Sequence, residues 1–150
     1  MIDVYTILVG VHILSAIVIV GPIFTVNSIL RNAKNMNELK FAHMVVEKLN
    51  TLIDSGFGLQ FITGLLMGLI NQSLFQMIWY NLSIGLLVIA GLYFRFVSEP
   101  KMKPMLEIVK TYNGDEIPNE YKELEKKTAL HFMVGRALVI AIIILMILKP

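Results

Sequence analysis

The stretch VYTILVGVHILSAIVIVGPIFTVNSIL, Val4 to Leu30, decides the fold, because it carries no Asp, Glu, Lys or Arg. As an α-helix it rises about 40 Å, more than the ~30 Å hydrocarbon core of a bilayer. Ser55–Phe94 and Ala137–Leu148 are likewise free of charge. The former is too long for one crossing, and Asn71–Gln72–Ser73 with Gln76 divides it. The latter becomes a crossing once Arg136 is included, from about Ala129. Helices are required, since a single crossing must satisfy its backbone internally. The pattern predicts an all-α, up-down, four-helix transmembrane bundle, one domain over 1–150, with crossings at about 4–28, 52–70, 77–97 and 129–148.

Composition agrees. Of the 150 residues 56% are hydrophobic and only 16% charged, against about 45–50% and about 25% in soluble domains. That balance excludes disorder, collagen-like repeats and disulfide scaffolds, and the absence of cysteine excludes thiol redox chemistry. A net charge of +2, mixed in sign, excludes a nucleic-acid partner. The implied partner is the lipid bilayer.

Basic residues set the expected orientation. Twelve of them, from Arg31 and Lys34 to Lys127 and Arg136, lie in or beside the first and third loops. Only Lys149 lies on the other side. The positive-inside rule then puts both termini outside the cytoplasm, in the cell membrane. The first helix has no basic leader before it and too long an apolar run for a signal peptide, so it is expected to be retained. Pro22 should kink it.

Apolar residues at Leu39, Ala42, Val45, Val46 and Leu49 recur at helical spacing, so the second helix is expected to begin near Asn37. Pro100 and Pro104 are expected to stop the third, and Asn113–Gly114–Asp115 to form a turn. Pro118 suits the first turn of a helix carrying Tyr121, Leu124, Thr128 and His131 on one stripe. The second and fourth helices should therefore extend into the cytoplasm and pack together there.

Polar groups inside a membrane are functional candidates by default. His12 is the foremost, about two turns into the first helix. A neutral imidazole there suits haem iron, copper or proton relay, or a hydrogen bond that pairs helices. Thr63–Gly64, Ser83–Gly85 and Ala141 lie at similar depth and are small, leaving space for a cofactor or for close helix approach. Gly64 and Gly68, with Gly56 and Gln60, share a stripe. A haem at His12 would be five-coordinate, take Met67 as a second ligand, or be shared across a homodimer by two copies of His12. His43, Glu47 and His131 form a candidate metal site where the second and fourth helices meet. Asp54 is expected to bridge to Arg136, with Arg95 competing. The nine methionines are not clustered as soft-metal binding favours. No phosphate loop, nucleophile triad or intramembrane carboxylate pair marks an ordinary hydrolase or nucleotide enzyme.

The run Val11–His12–Ile13–Leu14–Ser15–Ala16–Ile17–Val18–Ile19–Val20–Gly21 resembles the opening helix of the copper-resistance CopD family, with a His followed nine residues later by a Gly. Met146–Ile147–Leu148–Lys149–Pro150 and Trp79 resemble small four-helix bacterial membrane proteins allied to that family. The layout is also similar to HemJ-type protoporphyrinogen oxidases, and that resemblance implies haem held by a His on the first helix. Ser83 stands near the place of the lysine those oxidases carry after the helix-three Trp, which disfavours oxidase activity. The resulting expectation is a small multi-pass membrane protein binding haem b, or copper, through His12 for electron transfer or cofactor handling, with a membrane redox protein or a second copy as partner. The alternative expectation is a cofactor-free structural or assembly subunit.

Overall fold

The computed structural model describes residues 3–150; Met1 and Ile2 of the expected domain lie outside the described residues. The chain forms α1 (Val4–Arg31), α2 (Met36–Ile70), a 3₁₀ turn (Gln72–Gln76), α3 (Ile78–Tyr93), a π turn (Phe94–Ser98), α4 (Glu99–Thr111) and α5 (Asn119–Leu148). No strand occurs among the described residues. Four helical stretches are long and apolar enough to cross a membrane, with α3, the π turn and α4 forming one of them. Side chains such as Ile13, Leu14, Ile17, Ile62 and Ile147 point outward and are more than half exposed, as lipid-facing residues must be.

Local chemistry sets the helix starts. Asp3 caps α1 by accepting the Thr6 N–H at 2.7 Å, and hydrogen bonding from Thr6 holds its carboxyl below the ordinary value. Asn35 caps α2 by accepting the Glu38 N–H at 2.9 Å. Glu38 reaches back to the Lys34 N–H at 2.8 Å, completing a reciprocal cap. At 35 residues, α2 exceeds the ~20 that a bilayer needs. Its first turns, with α4 and the start of α5, therefore project beyond the bilayer at what is called here the loop end. The opposite, terminal end holds the starts of α1 and α3 and the end of α5.

The expectation that Pro100 and Pro104 stop the third helix is overturned. The chain continues helically from Ile78 through both prolines to Thr111. Pro100 falls in the first turn of α4, where a missing N–H costs least. The π turn just before it re-registers the ladder that the proline ring would otherwise strike. Burial of Met105 and Val109 against Met36, Leu39 and Tyr121 then holds α4 in place.

Burial on α1 follows His12, Ser15, Ile19, Ile23, Val26 and Leu30, steps of three and four that make one seam. That seam packs chiefly on α2, while α3 packs chiefly on α5. Gly56 makes the first pairing tight: a Cβ there would lie 2.6 Å from Ile19 Cγ1. Gly135 does the same for the second, with the Phe94 ring 2.7 Å from its virtual Cβ. The two pairs touch one another more sparingly. Between them, toward the loop end, lies an open cleft of about 440 Å³.

Candidate functional site: a polar network at His12

His12 and Ser15 lie one turn apart on the buried seam of α1 and face Gln60, Thr63 and Gly64 on α2. All five are buried. The His12 Nε2 lies 2.6 Å from Gln60 Nε2, and its Nδ1 lies 2.7 Å from Thr63 Oγ1. An amide nitrogen can only donate, so Nε2 accepts and the proton resides on Nδ1. The direction of every bond follows. The Ser15 hydroxyl donates to Gln60 Oε1, with the His12 carbonyl also 2.8 Å away. Gln60 donates to His12, His12 Nδ1–H donates to Thr63, and the Thr63 hydroxyl donates to the Leu59 carbonyl at 2.7 Å. The network is neutral, closed and fully satisfied, which is what a low-dielectric interior demands.

Both ring nitrogens of His12 already have partners on α2, so ligation of haem iron or copper would require Nε2 to release Gln60. On the side toward Gly64 a virtual Cβ would lie 3.6 Å from His12 Cε1, an ordinary packing contact. Of the small residues at this depth, Gly64 touches the His12 ring, whereas nothing lies within 4 Å of a virtual Cβ at Gly85. Gly68 lies under Tyr80 and Phe75, and a Cβ there would sit 2.2 Å from the Tyr80 hydroxyl. Tyr80 in turn donates to the Gly64 carbonyl at 2.7 Å. Met67 is half-buried one turn beyond Thr63.

His43, Glu47 and His131 are not brought together. His43 Nε2 pairs with the Tyr121 hydroxyl at 2.8 Å. His131 sits between the Tyr93 hydroxyl, 3.1 Å from Nδ1, and Lys101 Nζ, 2.6 Å from Nε2. Glu47 opens onto the cleft. Among the described residues no group of three or more His, Cys, Asp or Glu side chains converges to hold a metal ion.

The expected Asp54–Arg136 bridge is also overturned. Arg136 Nε donates to the Ile23 carbonyl at 3.3 Å, and its guanidinium lies 5.8 Å from the centre of the Phe24 ring. Its partners are on α1 because α5 borders α1, whereas Asp54 faces the cleft. The competitor Arg95 pairs instead with Glu99, one turn on, the only ion pair among the described residues.

Gln60 and Thr63 are the working partners that sequence reasoning undervalued, noting Gln60 only as a member of a stripe and Thr63 only as a small residue at the depth of His12. The signal was present: an amide inside a membrane needs a partner, and His12 and Ser15 are the polar residues at matching depth. Ser98, buried with a hydroxyl unpartnered among the described residues, had no such signal, because the π turn that it closes is invisible in the sequence.

No curated protein and no solved structure matches the chain. The likeness to CopD and HemJ-type proteins rests on the residues quoted for it alone. The family whose pattern matches residues 6–150 is described as "Predicted integral membrane protein (DUF2269)", and the chain belongs to it.

Proposed function

We propose that this integral membrane protein is a cofactor-free helical subunit that supports the assembly of a membrane complex, and that His12 pairs α1 with α2 rather than ligating iron or copper. One observation carries the reading: both imidazole nitrogens of His12 are engaged by Gln60 and Thr63 in a closed network. In membranes, such buried polar contacts hold helices together where the hydrophobic effect between them is absent. Protein produced with haem and copper supplied, then extracted in native lipid, tests this. The expected result is no Soret band, no copper above background, and migration as a species larger than the single chain. A Soret band or bound copper that disappears in His12→Ala overturns the reading, as does a lone cofactor-free monomer.

The proposed orientation is in the cell membrane, with both termini outside and the loop end cytoplasmic, supported by the basic residues at the loop end. Since the chain has no cysteine, Gly114→Cys introduces one thiol. An impermeant maleimide is expected to label it only from the cytoplasmic face, and labelling from outside reverses the assignment.

A further inference from the structure

The cleft between the two helix pairs is built differently from the His12 network. Its inner wall is apolar and aromatic, with Ile23, Ile53, Phe57, Phe94 and Phe132, and its loop-end wall is polar, with Glu47, Asn50, Asp54 and Ser98. A volume of about 440 Å³ lies within the range of small-molecule sites. The π turn supplies Phe94, Arg95 and Ser98 to the lining, and such turns recur where helices carry function. Ser98 lines this space while only 6% exposed. Its hydroxyl has no partner within the protein among the described residues.

Charge defines the ligand. The lining holds three carboxylates, Glu47, Asp54 and Glu99, and one cation, Arg95, which is tied to Glu99. Glu47 and Asp54 have no ion-pair partner among the described residues, leaving the cleft net negative. They lie two turns apart on α2, about 10 Å along the axis. One ammonium between them feels both carboxylates, and among the described residues no third His, Cys, Asp or Glu side chain joins them to hold a metal ion. The aromatic wall offers ring faces to a cation and apolar surface to its body. A zwitterionic lipid fits poorly, because its phosphate would meet carboxylates with the one arginine already engaged. We infer that the cleft binds a small organic amine with an apolar body, its ammonium held by Glu47 and Asp54 and its body against Phe57, Phe94 and Phe132.

This goes beyond the assembly role, and its readout is independent of haem or copper content. The probe is dansylcadaverine, a fluorescent primary amine, titrated into the full chain in phosphatidylcholine nanodiscs, with empty nanodiscs as the baseline. The uncharged control is its N-acetyl derivative. Saturable binding of the amine is expected, with the acetylated control about tenfold weaker, the effect of losing one charge-assisted contact. Asp54→Asn and Glu47→Gln should each weaken the amine about tenfold, on the same reasoning. Unchanged thermal melting of Asp54→Asn and Glu47→Gln separates lost recognition from lost folding. Equal binding of the two probes, wild-type affinity in both carboxylate variants, or displacement of the amine by added phosphatidylethanolamine overturns the proposal.

Discussion

Near the terminal end, His12, Ser15, Gln60 and Thr63 engage one another across the α1–α2 seam. Toward the loop end, Ser98 has an unpartnered hydroxyl and Asp54 faces an open cleft without an ion pair among the described residues. The same helix, α2, contributes to both regions. What differs is the partner. Against α1, Gly56 brings the backbones close enough for side chains to meet directly. Toward α3 and α4, bulky Phe57 and Phe94, 5.8 Å apart between ring centres, hold the pairs off from each other. Close packing therefore decides whether a polar residue in this bundle is used up internally or left available.

Substitutions sharpen that contrast. The largest effect belongs to the tight seam itself. Gly56→Leu forces a side chain onto Ile19 and should cost about 3 kcal/mol by overpacking. Gly21→Ala, with nothing within 4 Å of its virtual Cβ, should be stable, and reversible unfolding in mixed micelles compares the two. If both variants melt alike, the seam is not close-packed.

Next comes the polar network. A double-mutant cycle of His12→Ala with Gln60→Leu should return a coupling of about 1 kcal/mol, the scale of interhelical hydrogen bonds in membranes. A coupling of zero would mean that the imidazole and the amide act separately. The cleft should behave in the opposite way. Ser98→Ala removes an unpartnered hydroxyl and should leave the unliganded protein unchanged or stabilise it by about 0.5 kcal/mol, in contrast to the loss expected for a bonded group. Smallest of all is the interaction between Asp54 and Arg136. Asp54→Ala and Arg136→Leu should add within about 0.5 kcal/mol, as expected for residues that share no partner. Strong rescue in the double variant would restore the bridge that the geometry denies.

Much of the architecture was legible because it rests on solvent physics. Uncharged stretches must be helical in a bilayer, and the Asn71–Gln76 interruption could only be a turn. The spacing of Leu39, Ala42 and Val46 placed the start of α2 within a residue of where it lies, and Pro118 announced α5. The continuous helix through Pro100 and Pro104 was not legible, since local proline chemistry points to a stop. Tertiary burial of Met105 and Val109 and the π turn overcome it. His12 was legible as the key intramembrane polar residue, whereas the depth of Thr63 and the polarity of Gln60 were legible without the pairing itself. Gln60 and Thr63 meet it through the lateral register of α1 on α2, a three-dimensional quantity that one-dimensional spacing constrains only loosely. Arg136 illustrates the same limit: depth suggested Asp54, whereas helix order supplied Ile23 and Phe24.

The protonation and bonding of His12 test the account most directly. Nitrogen-15 NMR of histidine-labelled protein in nanodiscs, assigned through His12→Ala, reads both ring nitrogens of the imidazole. The account predicts a neutral ring protonated at Nδ1, with a bare Nε2 that accepts a hydrogen bond and changes its shift in Gln60→Leu. A ring protonated at Nε2, a resonance shifted or broadened by bound iron or copper, or indifference to Gln60→Leu would contradict it.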